Sequence, residues 1–164
     1  MRTLPMLAII VLLGACGFQL RGAALLPQSM ERVYLQAADL NSPLVQKLEQ
    51  SLRQSGAEVV PSPFEATATL RIIEDTADER VLSVSSSGQP QEYELYHTVV
   101  FDMANDNGVI LQPTSLTLTR DYFFDEQDIL GKAEDAAFLQ DALVEDVARS
   151  IVRRAALAAR AGSS

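Results

Sequence analysis

The sequence predicts an α+β fold: a two-layer sandwich in which two helices pack on one face of a mostly antiparallel sheet of about four strands. Three observations predict it. An apolar stripe at helical spacing runs through Leu44, Val45, Leu48 and Leu52. A longer one runs through Leu139, Leu143, Val147, Ile151 and Ala155. Between them the chain is β-rich, and from Tyr93 to Met103 it alternates with a period of two. Two amphipathic helices cannot leave such stripes in water, and a sheet with one apolar face covers both.

The first element is not part of that sandwich. Arg2 precedes an unbroken apolar run from Met6 to Leu13, followed by the small residues Gly14 and Ala15. A spanning helix needs roughly 20 apolar residues, and this run is shorter. Its length and flanks fit a cleaved export signal over residues 1–15. Leu13-Gly14-Ala15-Cys16 resembles the bacterial lipobox, whose cysteine is acylated and becomes the first residue of the mature protein. Cys16 is the only cysteine in the chain, so no internal disulfide competes for it. Each buried methylene of an acyl chain contributes about 0.8 kcal/mol, so several chains hold firmly where one does not. Gly17 rather than Asp follows the cysteine, which in lipoproteins of this type favours the outer membrane. Residues 16–30 then read as a lipidated tether, with Gly17, Gly22 and Pro27 discouraging regular structure, and residues 31–160 as a single α+β domain.

Within the domain, Val33 and Leu35, with Tyr34 between them, suggest a first strand over Glu31 to Ala37. Ser42 suits an N-cap, Pro43 the first helical position and Gly56 the end of the first helix. Ala68 to Glu74 and Arg80 to Ser85 read as one long bent strand or as two short ones, with Asp75 to Glu79 a bulge or a turn. Glu92 to Met103 is the clearest strand, placing Tyr93, Leu95, His97, Val99, Phe101 and Met103 on one face. Asn105-Asp106-Asn107-Gly108 is a hairpin turn. The return strand, Ser115 to Phe124, puts Leu116, Leu118, Tyr122 and Phe124 on one side. Thr117, Thr119, Asp121 and Phe123 take the other, and Pro113 limits ladder bonding just before it. The last helix spans Lys132 to Ala159, with Glu134 and Asp135 in its first turn and Arg149, Arg153, Arg154 and Arg160 towards its end, an order that complements the helix dipole.

Hydrophobic residues make up 48% of the chain, enough for a packed core. The net charge is −9, and cleavage before Cys16 removes fifteen residues with Arg2 as their one charge, leaving 149 residues at −10. So acidic a chain does not suit nucleic acid, which demands basic patches. Its own side chains do not favour an anionic lipid surface, so membrane attachment falls to Cys16.

Catalytic chemistry has no support. The one histidine, His97, sits mid-strand on the apolar face, where a core role outweighs a catalytic one. No Cys/His cluster offers a zinc site, and neither a nucleophile elbow nor a phosphate-cradling glycine loop is present. The turn at Asn105 to Gly108 fails as a calcium loop, because Met103 and Thr114 fall where acidic ligands are required. Asp125-Glu126-Gln127-Asp128 reads as helix-entry capping rather than an acid–base pair. The reading is a non-enzymatic protein with no cofactor and no metal.

Cys16-Gly17-Phe18-Gln19-Leu20-Arg21-Gly22 is similar to the opening of the mature lipopolysaccharide-assembly lipoproteins, the LptE family. In order, Gly88-Gln89-Pro90-Gln91-Glu92-Tyr93 resembles that family's approach to its central strand. Arg120-Asp121-Tyr122-Phe123-Phe124-Asp125 resembles the aromatic end of its last strand, and Lys132 stands where the family often starts its final helix with lysine. The resemblance covers roughly residues 16–155. It implies two helices on a four-stranded sheet, and a subunit that supports and plugs the outer-membrane β-barrel LptD, periplasm-facing and within its lumen. A polar lumen wall calls for a polar surface, which Ser115, Thr117 and Thr119 suit. Thr117, Thr119, Tyr122 and Phe123 are the expected partner-binding residues, and Lys132 the expected contact to lipopolysaccharide. The chain departs from some relatives before Gly88, where Ser85, Ser86 and Ser87 stand in place of an arginine. Two other classes compete: an independent outer-membrane lipoprotein binding a small ligand or another envelope protein, and a periplasmic hydrolase using His97 with Asp or Ser.

Replacing Cys16 with Ser is expected to move the protein from the membrane to the soluble fraction. Mass spectrometry of the mature wild-type chain is expected to show acyl chains on Cys16; a free thiol, or a retained leader, would overturn the anchor.

Overall fold

The computed structural model describes residues 26–123 and 129–162. Cys16, Phe124 and the 125–128 carboxylates lie outside the described residues. Five strands and two helices follow in order: β1 (Arg32–Gln36), α1 (Pro43–Gln54), β2 (Glu58–Val60), β3 (Ala68–Val84), β4 (Pro90–Asn105), β5 (Gly108–Phe123) and α2 (Ile129–Ala161). The sheet order is β2-β1-β3-β4-β5. β1 runs parallel to both β2 and β3, while β3, β4 and β5 form an antiparallel meander. Both helices lie on one face, so the α+β class and two-layer arrangement hold, with five strands where about four were expected.

The additional strand is β2. Glu58-Val59-Val60 is too short for alternation to register, yet the β-branched pair beside β1 extends the sheet. β3 is one long strand rather than two, irregular between Ile72 and Glu74 and again between Val81 and Val84. Pro113 lies inside β5 rather than ahead of it. β5 is an edge strand, and Phe101↔Thr114 and Met103↔Leu111 span one more residue on β5 than on β4. A proline that cannot donate to the ladder is tolerated at such a bulge. α2 begins at Ile129, ahead of Lys132, so Glu134 and Asp135 fall beyond its first turn. Gly131 alone opposes the earlier start, at a helix cost of about 1 kcal/mol.

Local chemistry sets the other boundaries. Ser42 Oγ accepts the Val45 backbone N–H (3.2 Å), capping α1. Gly56 takes φ +94°, a left-handed conformation that lets the chain turn from α1 into β2. At the β4–β5 hairpin, Asp106 and Asn107 keep negative φ, and Gly108 alone crosses over, at +129°. This is an ordinary turn closed by glycine, rather than one with Asn107 in the left-handed region.

The core fills the space between sheet and helices. Val33 and Leu35 of β1, Leu70 of β3, and Val99, Phe101 and Met103 of β4 meet the α1 stripe. In the same layer they meet Val147, Ala148, Ile151, Val152 and Ala155 of α2. Met30, in a 3-10 turn over Gln28–Met30, is fully buried in the same cluster, so the end of the expected tether packs with the domain. A second cluster of Leu95, Tyr122 and Leu143 continues the layer towards the start of α2. Charged pairs join the elements: Lys47 to Asp141 (2.9 Å) between the two helices, and Arg120 to Asp146 between the β5 and α2 layers. Hydrogen bonding from Arg120 first, then Arg149, outweighs burial and holds the Asp146 carboxyl below its ordinary range.

Leu48→Ala is expected to destabilise the fold by about 2–5 kcal/mol, because Leu48 is fully buried between the layers; denaturant unfolding checks it. Tyr122 gives a prediction with pH. Burial, then donation of its hydroxyl to Glu79 Oε2 (2.9 Å), pushes its phenol up to about 12. A raised phenol pKa favours the protonated folded form. Its stabilisation is therefore full below pH ~10, the unfolded value, and is lost between there and about 12. Tyr122→Phe is expected to flatten that alkaline loss in thermal melts taken across the range.

Candidate functional site: an uncovered polar sheet face

No described helix or strand packs on the face opposite the helices. Along β4 the odd positions from Leu95 to Met103 point into the core, so Glu94, Tyr96, Thr98, Val100 and Asp102 point outward. On β5 the same alternation exposes Ser115, Thr117, Thr119, Asp121 and Phe123. β3 contributes Arg71 before its first irregularity and Arg80 after it.

Register turns these into cross-strand pairs. Arg71 sits opposite Asp102, and its Nε donates to Asp102 Oδ1 at 3.1 Å while a terminal nitrogen engages Oδ2, a two-pronged contact. The hydrogen bonds and the charge of Asp102 raise the Arg71 pKa above its ordinary value. Arg80 sits opposite Glu94 and pairs with it, and its guanidinium lies over the Tyr96 ring, 5.7 Å from the centroid. Thr98 and Thr117 share a hydrogen bond of 2.8 Å across β4 and β5. A hollow of about 370 Å³ lies beside the Arg71–Asp102 pair, bounded by Gln36 on one side and Val109, Gln112 and Pro113 on the other. The face therefore presents hydroxyls, aromatic rings and internally paired charges: a surface for hydrogen bonding rather than for chemistry.

Thr117 and Thr119 lie exposed on this face, as their alternation predicts. Phe123 stands at its end, 80% exposed. Tyr122 points the other way: it is 8% exposed, stacks on Tyr93 with ring centroids 5.4 Å apart, and belongs to the helix side. The open face therefore gathers three of the four expected partner-binding residues and leaves Tyr122 in the second cluster. Lys132 falls in the backbone of α2, but its side chain lies outside the described residues. Arg71, Arg80, Tyr96 and Asp102 carry the face's strongest contacts and did not stand out in the sequence. Their signal is register, since each gains its role only from the residue opposite.

His97 is 3% exposed, with Nε2 2.6 Å from Asp75 Oδ1. Its Nδ1 has no hydrogen-bond partner among the described residues, and no serine joins the pair. A histidine buried beneath a helix layer is a packed core residue. Among the described residues no His, Cys, Asp and Glu cluster is placed to hold a metal. A second hollow, between the C-terminal ends of the helices, is lined by Arg149, Arg153 and Arg160 beside Leu26 and Val152. Arg149 is engaged by Glu145 and Asp146, and arginines here offset the negative ends of two helix dipoles.

Residues 30–155 match the family model LptE, lipopolysaccharide-assembly. The chain is 28% identical over 149 residues to the LPS-assembly lipoprotein LptE of Yersinia enterocolitica, covering 90% of this chain and 71% of that one. Among solved structures it is similar to lipoprotein B from Nitrosomonas europaea, with a TM-score of 0.73, 29% identity, and coverage of 85% of this chain and 90% of that one. It is also similar to rare lipoprotein B from Shewanella oneidensis, with a TM-score of 0.67, 25% identity, and coverage of 75% and 92%. With a family model spanning most of its described core, the chain belongs to the LptE lipopolysaccharide-assembly family and is not an enzyme.

Proposed function

We propose that this chain is the lipid-anchored subunit of the outer-membrane lipopolysaccharide translocon. It is tethered through acylated Cys16 after loss of residues 1–15, and it sits as a plug in the lumen of the LptD barrel. The observation that carries the reading is the uncovered sheet face. A globular domain enclosed by a barrel must meet a polar wall, and desolvation there is tolerable only for groups that bring or find hydrogen bonds. The face offers Thr98, Thr117 and Thr119 hydroxyls, and four of its charges are already paired, as Arg71–Asp102 and Arg80–Glu94. Phe123 adds an exposed aromatic anchor at the rim. The role needs shape and hydrogen bonding more than charge, which suits so acidic a chain. Lys132 is the residue proposed to reach a lipopolysaccharide phosphate, since an ammonium binds it as a point charge.

Affinity capture of the full chain from gently solubilised outer membranes is expected to bring a large β-barrel with it. Replacing both Thr117 and Thr119 with Arg, on the exposed side where neither supports the core, is expected to cut barrel recovery by roughly tenfold, equivalent to losing about 1.4 kcal/mol of interface. Recovery of the wild-type chain alone would overturn the partnership and favour an independent lipoprotein.

A further inference from the structure

β3 runs well past its partner. β1 ends at Gln36, which pairs with Arg71, while β3 continues to Val84 along β4. From Ile73 onward, no described strand pairs with the β1 side of β3. Among the described residues, no backbone hydrogen bond reaches this stretch from outside the hairpin. Every residue from Ile73 to Leu82 is exposed.

Such an edge normally carries a blunting device: a short strand, a proline, a bulge, a cover or charged side chains, and on this overhang charge is the device, one that repels acidic strands but not basic ones. The sheet's other margins have different ones. β2 has three residues, and β5 carries Pro113 at an irregular register. β3 has irregularities only at the two ends of the overhang, leaving Glu74–Val81 as a regular run paired residue by residue with β4. It also exposes apolar side chains at both ends, Ile73 on one side and Val81, Leu82 and Val84 on the other.

From this geometry we infer that the β3 overhang, Glu74–Val81, is a docking edge for one extended, basic strand of a partner protein. The incoming strand would continue the line of β1, with its backbone satisfying the open edge and its side chains setting the choice of partner. Two features define its chemistry. The first is charge. Glu74, Asp75, Asp78 and Glu79 fall within this run against a single Arg80, which Glu94 already engages. Asp75 and Glu79 face the helix side and hold His97 and Tyr122, while Glu74 and Asp78 lie on the open side with no ion-pair partner among the described residues. Opposite charges across paired strands stabilise, and like charges destabilise. A second copy of this acidic edge is therefore disfavoured, and lysine- or arginine-bearing strands are favoured. The second feature is a hollow of about 320 Å³ where β1 stops. Ala37, Val45, Ile72 and Ile73 form its apolar wall and Asp39 and Glu74 its acidic rim, so it fits an aliphatic stem with a cationic head. The inference concerns an edge rather than the sheet face assigned above to the barrel wall, and it stands or falls separately.

The test uses the full chain in detergent and two synthetic peptides, Lys-Val-Lys-Ile-Lys-Val-Arg-Val and the same apolar residues alternating with Glu. The basic peptide is expected to bind and to slow hydrogen exchange at amides between Ile73 and Val81, and the acidic peptide is expected not to bind. The double variant Glu74→Lys with Asp78→Lys changes only exposed side chains. It is expected to weaken the basic peptide by roughly tenfold. Glu58→Lys, on the β2 margin, is expected to leave binding unchanged. Any of three results would overturn the inference: binding that protects no amide in the overhang, equal loss with Glu58→Lys, or the same protection appearing without peptide as the protein concentration rises.

Discussion

The structure depends on one constraint: a single face of a five-stranded sheet must be kept dry. Val99, Phe101 and Met103 at the centre of β4 are fully buried, and they can be so only if both helices press on the same side. α2 does most of this over β4 and β5, and it approaches closely because Ala148, Ala155, Ala156 and Ala159 stud its inner stripe among Val147, Ile151 and Val152. Small residues let the helix axis come near the sheet, while branched ones fill the gaps. α1 completes the cover over β1 and is fixed to α2 by Lys47 and Asp141. Because the whole apolar investment lies on one side, the other side is released from packing and is free to be polar.

That release connects fold to function. A domain with helices on both faces would show its surroundings only helix surfaces. This one shows a bare, pleated array whose outward residues are fixed by register at strand spacing, with hydroxyls and paired charges held rigidly by the ladder. Groups ordered in advance lose less entropy when they meet a partner. Arg71 and Arg80 each have a carboxylate directly opposite, so these four charges are compensated within the face, while Asp121 on β5 and Glu74 and Asp78 on β3 leave it acidic. Much of that excess acid is concentrated at the β3 overhang.

Much of this was legible in the sequence, for physical reasons that differ by element. Burial demands periodicity, and wherever an element buries one face over several turns or pleats, the pattern shows. The α1 stripe with its Ser42 cap, the β4 alternation and the long α2 stripe were all readable in this way. β2 was not, because three residues cannot display a period. Pro113 suggested a strand start, since sequence does not disclose that β5 is an edge with a bulge there. The candidate site was half legible. Thr117 and Thr119 follow from alternation within one strand. Arg71, Arg80 and Asp102 acquire meaning only from a partner on another strand, and register across long separations is not written in local pattern.

Tyr122 and His97 show how one inserted residue decides such matters. Up to Ile72, the even positions of β3 face the helices; the irregularity between Ile72 and Glu74 shifts the parity, and from there the odd positions do. Without the shift, Glu74, Thr76, Asp78 and Arg80 would turn towards the helix side. With it, Asp75 comes within reach of His97 Nε2 and Glu79 within reach of the Tyr122 hydroxyl, so two polar groups on the core face of the meander gain hydrogen-bond partners. The same step turns Arg80 outward, over Tyr96 and opposite Glu94. A β-bulge re-aims every side chain beyond it. Here it sorts Asp75 and Glu79 to the inside, where donors await them, and Arg80 to the outside, where an aromatic ring and a carboxylate do. The Arg80 contacts of the open face and the arrangement of acids on the overhang are therefore products of one irregularity, and neither could take its present form if β3 ran straight.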